Sequence, residues 1–294
     1  MSAQRLRELL ASGQTINMPG VYDALTARLA EQAGFQAGFV SGYAVSAARL
    51  AAPDLGYLGQ AEMAETAREV CLATTMPVVV DADTGYGNAL SAIRTARLLH
   101  AAGAAGLFLE DQVWPKKCGH FAGKRVVPAD DWLAKLQAVV DLAREGIDLF
   151  VVARTDARAA VSLDDAVARA RAAMQIGVDA IFVEAPQSIE ELEAIAAATP
   201  GAVRVANMVE GGRTPLLTPG ELHELGFDLV VTPLTALMSA THAIQEAFGI
   251  LAREGTMREH RDRLVEFTEF GWVVEMARHQ ALDAQYASDN IDPT

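Results

Sequence analysis

The chain has 294 residues, 51% of them hydrophobic, with Gly and Pro scattered along it, so it carries enough apolar surface for a sizeable core and does not read as disordered. Its net charge of -14 sets it against nucleic acid and anionic membrane surfaces, which it repels at long range, but leaves open a small anionic substrate held by a local cation. No apolar run approaches the roughly 18 residues of a membrane span; the N-terminus lacks the apolar stretch and small-residue cleavage site of a signal peptide, and a cytoplasmic protein is expected. In that reducing setting the two cysteines, Cys71 and Cys118, are not expected to pair.

The first twenty residues read as a short amphipathic helix followed by a strand. After them, short β-branched or apolar runs alternate with longer Ala, Leu and Arg stretches of helical period, the pattern of repeated βα units. The runs fall at 15–19, 37–42, 77–83, 106–111, 149–156, 180–186, 203–208 and 228–234, eight in all, the number that closes a parallel barrel. The expected fold is therefore α/β, a single (β/α)8 barrel. An open doubly wound sheet usually needs a Gly-rich dinucleotide turn after its first strand, and NMPGVYD is not one. Two long helical stretches follow the last strand, about 235–254 and 257–286, more than a barrel requires; the surplus is expected to pack on another subunit. There is no P-loop and no Gly-x-Ser-x-Gly elbow.

Nearly every strand is apolar until its last residue or two. Polar groups then appear: Ser41, Asp81 and Asp83, Glu110 and Asp111, Arg154 and Asp156, Glu184, Asn207. In such a barrel those ends converge on one mouth. DADTGYGN (81–88) places two carboxylates two positions apart on one side of a strand, and Glu110 closes the next strand, a set of hard oxygen donors suited to Mg2+. Helix capping is the other explanation for acidic groups at these places. The loop 111–131 is longer than the about 2–6 residues of a usual βα connection and holds Lys116, Lys117, Cys118, Gly119 and His120. Ammonium groups and an imidazole ease ionisation of the thiol, and the glycine lets backbone approach a ligand, so a lid carrying a reactive cysteine is one reading and a surface loop with an incidental thiol the other. Cys71, in an apolar-periodic helix, reads as an inert core thiol. Arg154 is either a clamp for a substrate carboxylate or the partner of Asp156 or Glu184. Ser41 and Gly42 offer a carboxylate cradle or a plain turn.

Taken together, SGYAVSA (41–47), PDLG (53–56), VVVDADTGYG (78–87), LEDQVWPKKCGH (109–120), VARTDA (152–157), FVEAP (182–186) and ANMVEGGRTPL (206–216) resemble the isocitrate lyase and phosphoenolpyruvate mutase superfamily, over about residues 15–255. Within it, the loop motif looks most like the branch of petal death protein, 2,3-dimethylmalate lyase and carboxyvinyl-carboxyphosphonate phosphorylmutase. The resemblance implies one barrel domain, 1–294, with 255–294 exchanged between subunits of a homotetramer built as a dimer of dimers. It implies Mg2+, or Mn2+ in its place, bound directly by Asp83, through water by Asp81 and Glu110, with Asp54 behind them. Ser41, Gly42 and Tyr43 would receive a 2-oxo acid carboxylate together with Arg154, with Gly119, Glu184 and Asn207 completing the pocket. Cys118 would be the general acid, with His120, Glu110 and Lys117 as further catalytic groups. The implied reaction is cleavage of a small 2-hydroxy dicarboxylate to a 2-oxo acid such as pyruvate and a carboxylate. The alternatives are 2-methylisocitrate cleavage, oxaloacetate hydrolysis, phosphonate rearrangement and a silent 2-oxo acid binder. Tyr43, where 2-methylisocitrate lyases usually carry glycine, speaks against a bulky tricarboxylate; Pro233, where the hydrolases carry serine, speaks against hydrolysis.

Overall fold

Period-two alternation decides which way each strand faces. In the computed structural model of the chain, which describes residues 2–119 and 123–287, the strands are β1 (Ile16–Val21), β2 (Gly38–Val40), β3 (Val78–Asp81), β4 (Gly106–Glu110), β5 (Phe150–Thr155), β6 (Ala180–Val183), β7 (Val205–Asn207) and β8 (Leu229–Thr232). All pair in parallel, in the order β6-β5-β4-β3-β2-β1-β8-β7. A parallel bridge from Ile181 to Arg204 links β6 with β7 and closes the ring. The eight runs read from the sequence are these eight strands.

Met18, Phe39, Val79, Phe108, Phe150, Val152, Phe182, Val205, Leu229 and Val231 share one buried cluster, the barrel interior. Their neighbours Val40, Val78, Val80, Leu107, Leu109, Val151 and Ala153 belong to a second cluster with the helices outside, and Ile181, Val183, Ala206 and Val230 to a third. Rings of Phe39, Phe108 and Phe182 touch in series, with centroids 4.7 and 5.5 Å apart. The first helix, α1 (Ala3–Leu10), adds Ala3, Leu6 and Leu9 to the interior cluster.

The remaining helices are α2 (Ala24–Gln32), α3 (Gly42–Leu50), α4 (Gln60–Ala73), α5 (Ala89–Ala101), α6 (Ala129–Val140), α7 (Ala157–Ala160), α8 (Leu163–Ile176), α9 (Ile189–Ala198), α10 (Pro219–Glu224), α11 (Thr235–Glu254), α12 (Phe267–Val273) and α13 (Met276–Tyr286). Side-chain caps from Asp23, Ser41, Asn88, Ser162, Ser188 and Thr218 fix where six of them start. None of the described helices is long and apolar enough to cross a membrane.

Contacts divide the chain into a unit of residues 1–237, which holds the barrel, and a unit of residues 238–294. The division falls inside α11. The expected continuous helix over 257–286 is instead a 3-10 turn (Arg258–Arg263) followed by α12 and α13. Extended backbone at Leu264 and Glu266 separates the 3-10 turn from α12, and the left-handed Glu275 separates α12 from α13. Of the described residues from 238 onward only Ile250 is buried, whereas Phe248, Phe267, Trp272 and Tyr286 are each more than 60% exposed.

Candidate active site

Six of the strand-end polar groups stand two residues beyond a member of the interior cluster: Ser41 after Phe39, Asp81 after Val79, Glu110 after Phe108, Arg154 after Val152, Glu184 after Phe182, Asn207 after Val205. Alternation therefore points them into the barrel mouth, above the aromatic layer. The cavity there measures about 40 Å³, room for a few water molecules, and its lining includes Ser41, Tyr43, Asp54, Asp81, Cys118, Gly119, Arg154, Glu184 and Asn207.

Four carboxylates crowd one side. Asp83 lies past the end of β3 with φ of 47°, a left-handed conformation Asp tolerates better than most residues, and its N–H donates to Asp81 Oδ1 at 3.1 Å. Glu110 follows one strand over, its N–H bonded to the Asp83 carbonyl. Asp54 approaches from the connection after α3. The ammonium of Lys116 stands among them, 2.7 Å from Asp54 Oδ1 and 2.6 Å from Asp83 Oδ1, with all three side chains buried. Burial pushes Asp83 and Glu110 up from the usual carboxylate range, although Lys116 opposes this for Asp83 and Arg154 for Glu110. Burial works against the Lys116 ammonium, but the surrounding carboxylates outweigh it and hold the proton firmly. One ammonium does not balance four buried carboxylates, and Glu110 Oε1 accepts no hydrogen bond among the described residues. Hard oxygen donors, excess negative charge and an unsatisfied carboxylate oxygen fit a divalent cation. Among the described residues no three such side chains stand as a ready ligand set; Lys116 is between them.

Next to Glu110, Arg154 reaches Asp156 (Nε to Oδ2, 3.0 Å), Glu110 itself (3.4 Å) and Glu184 (3.4 Å), and its guanidinium lies 5.5 Å from the centre of the Phe182 ring. Asn207 donates to Glu184 at 3.3 Å. Arg154 thus has the carboxylate partners considered from sequence and still lines the mouth. Ser41 caps α3, its Oγ accepting from the Ala44 N–H at 3.4 Å. It is therefore a cap whose helix N-terminus, with Gly42 and Tyr43, opens on the cavity, where backbone N–H groups favour an anion. A Cβ on Gly42 would stand 3.0 Å from Asp81 Oδ2 and 3.3 Å from Lys116 Nζ. Burial, then Cys118 and Asp54, push the Tyr43 phenol up.

The loop after β4 covers this mouth. Its stem is antiparallel: Val113 N–H donates to the Arg125 carbonyl and Val127 N–H to that of Asp111. The Gln112 side chain donates to the Lys117 carbonyl (2.8 Å) and accepts from its N–H (3.0 Å), while Cys118 N–H donates to the Asp54 carbonyl. Held this way, Lys116 turns inward and Lys117 outward, its ammonium donating to the Gly123 carbonyl at 3.3 Å. The sequence reading named Lys117; the neighbour that enters the site is Lys116. Sequence also passed over Lys124, buried against Asp156 at 2.6 Å. His120 lies outside the described residues. Cys118 is half-buried at the cavity and Cys71 is a buried core residue. Burial pushes the Cys71 thiol up to about 12.

With the site in place, the comparison with known proteins is direct. The family model described as phosphoenolpyruvate phosphomutase matches residues 6–252. The chain belongs to that family. It is an enzyme of the PEP mutase/isocitrate lyase superfamily. It is 49% identical to the chloroplastic carboxyvinyl-carboxyphosphonate phosphorylmutase of Arabidopsis thaliana, over 97% of this chain and 84% of that protein. It is 39% identical to the 2,3-dimethylmalate lyase of Eubacterium barkeri, over 98% and 99%. Among solved structures, a 2,3-dimethylmalate lyase superposes with a TM-score of 0.92 at 34% identity, covering 100% and 99% of the two chains. Phosphonopyruvate hydrolase in complex with oxalate and Mg2+ superposes with a TM-score of 0.86 at 30% identity, covering 97% and 99%.

Proposed function

We propose that this family member is a Mg2+-dependent carbon–carbon lyase that splits a small 2-hydroxy dicarboxylate, of the 2,3-dimethylmalate kind, into a 2-oxo acid such as pyruvate and a carboxylate. The observation that carries the reading is that Cys118, Arg154, Ser41 and the Asp54 and Asp81 carboxylates all line one small cavity. A proton donor, an anion clamp and cation-seeking oxygens there face the same point.

Asp83, Asp81, Glu110 and Asp54 are the residues that would hold the cation, Mg2+ or Mn2+, with the Lys116 ammonium moving aside. When bound, such an ion stabilises the negative charge that develops on the substrate's hydroxyl oxygen and on the 2-oxo acid. The chain's own side chains supply the rest. Arg154 and the N-terminus of α3, with Ser41, Gly42 and Tyr43, receive the carboxylate of the 2-oxo acid half. Glu184 and Asn207 hold Arg154 from behind. The substrate hydroxyl gives its proton to a carboxylate of the site and becomes the carbonyl of the 2-oxo acid as the carbon–carbon bond breaks; the departing half carries the electron pair on carbon, and Cys118 gives its proton to that carbon. Gly119, seated beside Glu184 and Arg154, brings the lid close enough to exclude water while this happens. The Eubacterium relative supports the substrate class, and the phosphonopyruvate hydrolase complex supports Mg2+.

The test is a coupled assay of 2-oxo acid release with Mg2+ against malate, 2-alkylmalates, 2,3-dimethylmalate, 2-methylisocitrate and oxaloacetate, alongside Cys118→Ala. Release from a 2-hydroxy dicarboxylate that Cys118→Ala abolishes while substrate still binds is the expected result; unaltered turnover in the variant refutes the general-acid role. Succinate among the products would select 2-methylisocitrate cleavage instead. The name of the Arabidopsis relative favours a second reading, phosphoryl-group rearrangement, which phosphorus NMR of a phosphonate substrate distinguishes. We also propose a homotetramer in which residues 255–294 are exchanged between subunits, supported by the exposed Phe267 and Trp272 of that segment.

A further inference from the structure

Besides Lys116, a second ammonium of the lid, that of Lys124, reaches the barrel. Lys124, on the descending side of the loop, has its side chain 1% exposed and donates to the carbonyl of Gly119 and to Asp156 Oδ1. Asp156 is fully buried, directly after β5. The same carboxylate accepts from Arg154, at Oδ2 from Nε (3.0 Å) and at Oδ1 from Nη2 (3.3 Å). Its own N–H is fixed by Asp111 Oδ1 at 2.8 Å, and Asp111 is in turn held by Thr155 Oγ1 and Arg169. Burial works against the Asp156 charge, but Arg154 and Lys124 outweigh it and bring its carboxyl down to about 2, so it stays an anion shared by two cations. The partner that Lys124 grips on the lid, Gly119, has no room for a side chain: a Cβ there would stand 2.5 Å from Glu184 Cδ and 2.8 Å from Arg154 Nη2.

We infer that Lys124 is a positioning residue, a latch that binds the lid to the carboxylate that orients Arg154, so that covering the mouth with Cys118 and aiming the arginine are one event. When the lid is seated, Lys124 draws Asp156 Oδ1 toward the loop, and Arg154 is left to present its outer nitrogen to the cavity beside Gly119. When the lid lifts, Gly119 and Lys124 leave together, and Asp156 takes Arg154 alone. The lid part of this inference stands on geometry alone; its effect on turnover rests on the lyase reading.

The experiment compares wild type, Lys124→Met and Lys124→Arg. Cys118 is labelled with iodoacetamide and followed by intact-protein mass, with buried Cys71 as internal reference. Lys124→Met should label Cys118 about tenfold faster or more, the scale of one lost charge-assisted hydrogen bond. Lys124→Arg, which keeps the charge, should restore a rate close to wild type. Lys124→Met also breaks a buried ion pair, so its unfolding midpoint should fall, and the Cys71 labelling rate separates that loss from a lifted lid. On the lyase substrate, Lys124→Met should lower kcat and raise KM, with recovery in Lys124→Arg. A wild-type labelling rate in Lys124→Met overturns the latch, as does equal acceleration at Cys71, which would mean a loosened fold instead of a lifted lid. If wild type turns over no 2-hydroxy acid, the lyase reading fails and the labelling rates alone decide the latch.

Discussion

Replacing Lys116 by Met removes the only ammonium from a group of four buried carboxylates while keeping the stem's length. The side chain loses contacts of 2.7 Å to Asp54 and 2.6 Å to Asp83, both within a nearly solvent-free site. Breaking a buried ion pair from one side costs about 3–5 kcal/mol. The lower end applies here, because burial already pushes Asp83 and Glu110 toward the neutral form and a proton can take the place of the lost cation. For a unit of this size about 1 kcal/mol moves the unfolding midpoint by roughly 2–4 °C, so a loss of about 3 kcal/mol lowers it by roughly 6–12 °C. Mg2+ should reverse the loss, since at a hundred times its Kd a ligand of the folded state returns about 2.7 kcal/mol. In wild type the ion must first displace the ammonium, so its gain is smaller. The assay is thermal unfolding of both proteins in chelator and then in rising Mg2+, with NaCl matched for ionic strength. Equal midpoints without metal, or equal Mg2+ shifts in the two proteins, would show that Lys116 does not stand in the cation's place.

Gly119→Ala should cut turnover at least tenfold with little change in unfolding temperature, because the methyl cannot seat against Glu184 and the clash is relieved by lifting the lid; kcat, KM and a melting curve check this. In native protein iodoacetamide should label Cys118 and spare Cys71, as peptide mapping will show. The folded state holds the Cys71 proton up to about 12 while the unfolded thiol releases it near the usual value, so its contribution is complete below about pH 8.5 and falls by about 1.4 kcal/mol per pH unit above that. Urea unfolding at pH 8, 9 and 10 should therefore show the stability gap between wild type and Cys71→Ala narrowing as pH rises; a constant gap would contradict it. Phe267→Glu combined with Trp272→Glu should shift the oligomer toward smaller species in light scattering, and an unchanged mass would remove that segment from the subunit interface.

The barrel was readable because its strands carry two signals at once, β-branched runs and a polar residue at each carboxyl end, and both depend on nearest neighbours in the chain. The convergence of Asp81, Glu110, Arg154, Glu184 and Asn207 followed from that alone. The choice between Lys116 and Lys117 did not, since it depends on the Gln112 amide gripping Lys117 and on the Asp54 carbonyl accepting from Cys118, contacts across the loop and across 64 positions of sequence. Lys124 was hidden for the same reason: its partner lies on another strand. Arg154 was left between clamp and ion pair, and the fold makes it both a partner of Asp156 and part of the cavity wall. The division of 257–286 into three short elements was illegible because its helical period continues through Leu264, Glu266 and Glu275, where the backbone dihedrals interrupt it.

The spacing of two between each inner core residue and the polar group above it constrains how this sequence can vary. Losing or gaining one residue within such a strand would send a carboxylate or guanidinium into the helix layer and a valine into the mouth, so length can change safely only in the loops. Substitution at Ser41, Asp81, Glu110, Arg154, Glu184 or Asn207 instead alters what the mouth binds while leaving the packed layer of Phe39, Phe108 and Phe182 below it intact. A scaffold so divided can acquire a new substrate by a few exchanges at strand tips without first having to repack its interior.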